Sequence, residues 1–84
     1  MATVLFSLDA QEQADDLPRP IRTRLYRLVE RLKAWPTVSG VKALTGALKG
    51  FYRIRTGDYR MQFRVDGDVL LIVKVGHRDG FYED

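Results

Sequence analysis

Leu48-Lys49-Gly50-Phe51-Tyr52-Arg53-Ile54-Arg55-Thr56-Gly57-Asp58-Tyr59-Arg60 is the stretch that decides the fold. Tyr52 and Ile54 alternate with Arg53 and Arg55, the period of a strand buried on one face. Gly57-Asp58 supplies a turn, and Tyr59-Arg60-Met61-Gln62-Phe63-Arg64-Val65 alternates again. Asp66-Gly67 marks a second turn, a strong short-range hairpin signal. A further strand over residues 69–75 is apolar on both faces and is expected to be covered on both sides. The polar face of this meander is arginine, not a mixture of charges. A sheet that places Arg53, Arg55, Arg60 and Arg64 on one side reads as a surface for an anion.

Upstream, Val4, Phe6 and Leu8 share one face of a first strand over residues 3–8. Asp9 then serves as a helix cap, and Ala10, Ala14 and Leu17 follow at helical spacing. Pro18 and Pro20 suit a helix start, where the amide donors lack intrahelical partners. Ile21, Leu25, Leu28, Val29, Leu32 and Trp35 form the apolar stripe of a second helix, which Pro36 stops. Residues 37–46 connect, with Val41, Leu44 and Leu48 tucked against the core. The expected order is β-α-α-β-β-β. That is an α+β fold, two N-terminal helices on one face of a small, mostly antiparallel four-stranded sheet, with residues 1–84 as one domain.

The composition is that of a globular protein, 45% hydrophobic and 30% charged in 84 residues, without cysteine. Disulfides, thiolate nucleophiles and cysteine-held metals are therefore excluded. No apolar run approaches membrane-spanning length, and residues 1–8 are too short and uncharged for a signal peptide, so the expected location is the cytoplasm. The net charge of +3 matters less than its distribution. Between Lys49 and Arg78 seven basic residues face three acidic ones, a local balance of +4. Such a field fits nucleic acid or an acidic protein, or it is a solvated basic face; charge does not choose between them. Arg22, Arg24, Arg27, Arg31 and Lys33, on the polar side of the second helix, read as a solvated face, with an acidic partner as the alternative.

Strand parity indicates which side chains cooperate. Arg53 and Arg55 share a face, as do Arg60, Gln62 and Arg64 across the turn. In the last strand Leu70, Ile72 and Lys74 share the second face, and Arg78 continues it. Arg53, Arg55, Arg60 and Arg78 are thus expected to converge. Guanidinium forks match phosphate oxygens, and a cluster of them stabilises the extra charge of a pentacoordinate phosphorane. Tyr82 adds a ring that stacks on a base or a phenol that supplies a proton. This is equipment for metal-free RNA cleavage by the substrate's own 2′-hydroxyl, and no carboxylate cluster suited to magnesium is evident. Binding phosphate or an acidic partner without chemistry fits the same residues.

His77, the single histidine, falls on the parity opposite Arg78 and reads as structural, with proton transfer as the lesser alternative. Lys49, at the start of the arginine strand, either touches RNA or is simply solvated. Asp79, Glu83 and Asp84 place −3 beside the arginines, where they screen an empty site or solubilise the terminus. Trp35 and Tyr26 read as packing.

The Lys-Gly, Arg-Ile-Arg, Gly-Asp-Tyr-Arg and Gly-His-Arg elements, with Tyr82, resemble the RelE/ParE superfamily of bacterial type II toxin–antitoxin toxins, over nearly the whole chain. Within it the chain looks closer to the RelE branch, whose members cut messenger RNA in the ribosomal A site. ParE-branch members poison DNA gyrase and generally lack the terminal catalytic set. The resemblance implies that Arg60 and Arg78 hold the scissile phosphate and assist the leaving group, and that Tyr82 stacks on the substrate. Arg53 and Arg55 would join them in catalysis, and Lys49, Arg53, Arg55 and Arg64 would contact RNA. It implies no cofactor and no metal. Its partners would be a cognate antitoxin, the 70S ribosome with messenger RNA, and operator DNA through the antitoxin complex, with no membrane. Arg53 and Arg55 fall where the best-studied members carry lysines. Guanidinium is not a general base. Hence either electrostatic stabilisation suffices, another group takes the proton, or activity is reduced. The alternative is a ParE-like, non-enzymatic gyrase inhibitor or a degenerate toxin acting as a binding module.

Overall fold

A computed structural model describes residues 1–81 of the chain. The elements are β1 (Thr3–Phe6), α1 (Leu8–Asp15), α2 (Arg19–Leu32), β2 (Lys42–Ala43), β3 (Phe51–Thr56), β4 (Tyr59–Asp66) and β5 (Val69–His77), with 3-10 turns at Gly46–Leu48 and Arg78–Gly80. Among the described residues five strands lie in the order β1-β5-β4-β3-β2. β1 runs parallel to β5, and the other three pairings are antiparallel. The class is the expected α+β one, but the sheet has five strands instead of four. The extra strand is only two residues long, Lys42 across from Arg53 and Ala43 across from Tyr52. So short a pairing leaves no period in the sequence to read.

The first helix begins differently from expectation. β1 ends at Phe6, and Ser7 caps α1, its hydroxyl accepting the Ala10 amide at 3.1 Å. Asp9 lies inside the helix, and Leu8 is 85% exposed instead of sharing the buried face of β1. Ala10 and Ala14 are the buried side of α1. α2 presents Leu25, Leu28 and Leu32 to the sheet and ends at Leu32, before Pro36. These meet Ile54, Met61, Phe63, Leu70, Ile72 and Val75 in one continuous core. Trp35, Tyr52 and Phe63 form an aromatic trio with ring centroids 5.1–5.6 Å apart. Tyr26 is the more exposed aromatic, edge-on to Phe6 at 6.4 Å.

Both hairpin turns are Gly-Asp. Asp66 pairs with Val69, so the second turn is Gly67-Asp68 and not Asp66-Gly67. Gly57 and Gly67 occupy the first central positions with φ of 58° and 61°. That is where a two-residue hairpin of the II′ class needs glycine.

A second correction concerns β5. Gln62 stands across from Lys74 but Phe63 stands across from Ile72, so Val73 is an inserted residue. Leu70 and Ile72 therefore point with the core and are fully buried, while Lys74 belongs to the opposite face. The expected grouping of Leu70, Ile72 and Lys74 fails because one extra residue inverts parity. Nor is β5 buried evenly on both sides. Both helices cover one face; on the other, Leu71 lies across from Leu5, which is 50% exposed. Past Ile72, where β1 no longer pairs with β5, the Val75 amide donates to Gln13 Oε1 of α1 at 2.7 Å. A helix side chain thus satisfies a donor at the strand's open edge.

Candidate functional site

The face of the sheet turned away from the helices is set by the β3–β4 register. Six consecutive pairs, from Phe51 with Arg64 to Thr56 with Tyr59, run without a break. Tyr52, Ile54, Met61 and Phe63 pack toward the helices, so Arg53, Arg55, Arg60, Gln62 and Arg64 share the open face. Arg55 lies directly across from Arg60, and Arg53 across from Gln62, which in turn faces Lys74 on β5. Arg55 and Arg64 are exposed; Arg53 and Arg60 are half-buried. Arg64 is opposite Phe51 and Leu71, at the far end from the Arg55–Arg60 pair. Lys49 is exposed and precedes Gly50, whose φ of 97° turns the chain into β3.

Arg78 stands off the strands. It opens the 3-10 turn that follows β5, two residues beyond Gly76, the register partner of Arg60. Its amide donates to the Asp58 carbonyl at 2.7 Å, tying that turn to the β3–β4 turn. Its Nε lies 3.7 Å from Asp58 Oδ1 and 3.8 Å from Asp79 Oδ1. The structure therefore brings Arg53, Arg55 and Arg60 together on β3 and β4, and sets Arg78 on a separate support beside the hairpin turn. Tyr82, Glu83 and Asp84 lie outside the described residues.

His77 has the expected parity but is not buried. It ends β5 at the rim of the sheet, half-exposed, its ring edge-on to Tyr59 at 5.2 Å. Its Nδ1 accepts the Asp79 amide at 3.1 Å and so caps the 3-10 turn.

Two features of the open face were not anticipated. Phe81 is only 7% exposed and packs on Gly76, where an added Cβ would lie 3.5 Å from the ring. Lys74 Nζ sits over the same ring, 4.6 Å from its centroid. Gln62, 6% exposed, is buried beneath this face among the arginines. The available signal was Gly76: a glycine inside a strand often marks the close approach of another group. Phe81, a few residues on, is the aromatic that fills the notch.

The chain matches a family model described as the ParE toxin of the type II toxin–antitoxin system, parDE, over residues 4–80. It is 30% identical over 83 residues to toxin RelE3 of Methanocaldococcus jannaschii, covering 95% of this chain and 94% of that protein. Two solved structures share its fold. One is the toxin–antitoxin complex RelBE2 from Mycobacterium tuberculosis, with a TM-score of 0.80 and 26% identity over 92% of this chain and 98% of that one. The other is the RelB–RelE antitoxin–toxin complex from Methanococcus jannaschii, with a TM-score of 0.74 and 27% identity over 89% of this chain and 91% of that one.

Proposed function

The chain belongs to the ParE toxin family of type II toxin–antitoxin systems, and from that premise we propose that this RelE-like toxin is a ribosome-dependent endoribonuclease that cuts messenger RNA in the A site. The observation that carries this reading is the placement of Arg53, Arg55 and Arg60 on one open face, with Arg55 directly across from Arg60. Like charges in direct cross-strand register cost stability. A polyanion that binds them turns that cost into affinity.

In the proposed reaction the 2′-hydroxyl oxygen of a substrate ribose attacks the adjacent phosphorus and the P–O5′ bond breaks. The products are a 2′,3′-cyclic phosphate and a 5′-hydroxyl. Arg53, Arg55 and Arg60 hold the phosphate and neutralise the charge that grows on its oxygens. Arg78 stabilises the developing charge on the leaving 5′ oxygen, and Tyr82, on the strength of the resemblance, stacks on the substrate and orients it. Because guanidinium keeps its proton, these residues contribute charge and hydrogen bonds. The 2′-hydroxyl proton passes to an acceptor outside this set, water or the RNA and ribosome around it, and the leaving 5′ oxygen takes a proton from the same surroundings. No enclosed pocket opens among the described residues. The ribosome therefore supplies the geometry, holding the RNA in a reactive conformation against this face. Lys49 and Arg64 extend the RNA contact along β3 and β4.

A cognate antitoxin that covers the basic face is part of the same proposal. The structures compared above are toxin–antitoxin complexes, and the pair would bind operator DNA as a repressor. A second reading, a gyrase inhibitor without catalysis, is favoured by the description of the matched family as ParE toxin.

Primer extension on a message translated in a purified cell-free system separates the two. The expected result is new 5′ ends inside A-site codons, lost with Arg78→Ala and absent without ribosomes. An intact message at saturating protein, together with inhibited supercoiling by gyrase, overturns the endoribonuclease reading.

A further inference from the structure

Arg78 stands on a three-residue turn, and groups with no part in the proposed reaction hold that turn in place. The Asp58 carbonyl accepts the Arg78 amide at 2.7 Å, and His77 Nδ1 accepts the Asp79 amide at 3.1 Å. The Asp58 and Asp79 carboxylates approach Arg78 Nε at 3.7 and 3.8 Å. The His77 ring lies between the same two carboxylates, with Nε2 4.0 Å from Asp58 Oδ2 and Nδ1 3.4 Å from Asp79 Oδ2. We propose that His77 and Asp58 are positioning residues for Arg78, and that protonation of His77 displaces it. The proposal rests on the endoribonuclease reading of Arg78.

The hydrogen bond to Asp79 fixes the tautomer. A ring nitrogen that accepts carries no proton, so the neutral ring holds its proton on Nε2, on the Asp58 side. Protonation of Nδ1 removes the lone pair that the Asp79 amide uses, and the turn loses its cap. The new imidazolium then attracts both carboxylates that flank Arg78 Nε. Both effects act in one direction, loosening the turn and drawing Asp58 and Asp79 off the guanidinium. The exposed ion pairs are individually weak. The two backbone amides that they accompany, Arg78 to Asp58 and Asp79 to His77, set the position of the turn.

The other groups around the ring do not substitute for His77. Tyr59 of β4 meets it edge-on, and Arg24 of α2 reaches the neighbouring Gly57, where an added Cβ would lie 3.4 Å from its guanidinium. Among the described residues, the charged groups that meet the ring or its carboxylate partners are Asp58, Asp79 and Arg78, with Arg24 beside Gly57. The capped arrangement belongs to the neutral ring, and cleavage falls as acid gives the ring its second proton.

The test is single-turnover cleavage on preformed ribosome–message complexes between about pH 8 and pH 5.5, paired with NMR titration of the free protein. The proteins are the native chain, His77→Asn and His77→Ala. Asparagine keeps an oxygen acceptor near the place of Nδ1 and cannot gain a proton, so it retains the cap at every pH. The ratio of native to His77→Asn rates is expected to fall from the top to the bottom of the range, by up to about 10²-fold, the cost of misplacing a reacting group by about 1 Å. His77→Ala should be slow throughout, with a constant ratio to His77→Asn. In the free native protein the Asp79 amide and Arg78 Nε–H signals should titrate together with the His77 ring, and neither should do so in His77→Asn. Cleavage with a constant native-to-Asn ratio overturns the positioning role and leaves the endoribonuclease reading standing. No cleavage by any of the three, with the coupled NMR titration intact, overturns the endoribonuclease reading and leaves the arrangement around Arg78 standing. Signals that do not move with the ring overturn the proposal outright.

Discussion

Side chains that alternate along β3 and β4 meet opposite environments. Tyr52, Ile54, Met61 and Phe63 face the helices and belong to the core or pack on it, whereas Arg53, Arg55, Arg60 and Gln62 occupy the open face in the same register. One face is apolar and closely packed; the other sets two guanidinium-bearing residues directly across from each other. The comparison teaches that the cohesion of this small domain is concentrated on one side of the sheet. The other side is left to carry an arrangement that folding alone would not select. The strongest way to break the contrast is Phe63→Ala. Phe63 is fully buried, stacked on Tyr52 and edge-on to Trp35. The expected loss is about 3–5 kcal/mol, a large share of the stability of a domain this size. Urea unfolding measures it, and a loss below about 1 kcal/mol would mean that the core lies elsewhere.

Arg60→Ala tests the other side. Removing a charge-stabilising donor from a reaction of this kind costs on the order of 10²–10³ in rate, while the melting temperature should move far less than with Phe63→Ala. Cleavage in the cell-free system and thermal unfolding of the same preparation check both halves. A variant that unfolds as readily as Phe63→Ala would show that Arg60 is structural and erase the distinction between the faces.

How far the sequence could be read follows the regularity of pairing. Along β3 and β4 six pairs run unbroken, so alternation alone assigned Arg53, Arg55, Arg60 and Arg64 to one face. In β5 the run Leu70-Leu71-Ile72-Val73 is apolar throughout. It offers no alternation to reveal the inserted Val73, so Leu70 and Ile72 turn to the core while Lys74, expected on their face, shares the face of Gln62 and Arg60. A first strand over residues 3–8 runs past Ser7 and leaves Asp9 as the expected cap; the strand ends at Phe6, and Ser7, a residue type that caps equally well, takes that place. The two-residue β2 has too little sequence to carry a period. The support of Arg78 was invisible for a different reason: it depends on a carbonyl of Asp58, twenty positions away, and backbone partners leave no mark on residue identity. Tyr82 rests on resemblance to the family, because it lies outside the described residues.

The two hairpin turns offer a smaller test, since their residues are the same and their surroundings differ. Gly57 and Gly67 both sit at positive φ, but a Cβ on Gly57 would contact the Arg24 guanidinium at 3.4 Å, while one on Gly67 meets open space. Alanine at either position carries the left-handed backbone penalty of about 1–2 kcal/mol. Gly57→Ala should exceed Gly67→Ala only slightly, because the far end of an arginine can shift. It should also reduce cleavage, because Asp58 holds the turn that carries Arg78. Gly67→Ala, at the opposite end of β4, should leave the rate unchanged at temperatures where the variant is folded. Equal losses of rate in the two would separate Arg78 from the Gly57-Asp58 turn.

The smallest expected effect is the most direct measure of what the open face costs. Arg55 is exposed and lies across from Arg60, and like charges in that relation are worth roughly 0.2–1 kcal/mol against folding. Arg55→Gln keeps the length and hydrogen-bonding capacity of the side chain and removes the charge. It should therefore raise stability by a few tenths of a kcal/mol while lowering the rate of cleavage. The gain should shrink as salt is added, since an exposed repulsion is screened within about 10 Å at 0.1 M ionic strength. Urea unfolding at low and high salt reads the difference. A variant less stable than the native protein, or a gain indifferent to salt, would mean that Arg55 and Arg60 are held apart by other partners. The open face would then be an ordinary solvated surface, and its opposition to the core side would lose its meaning.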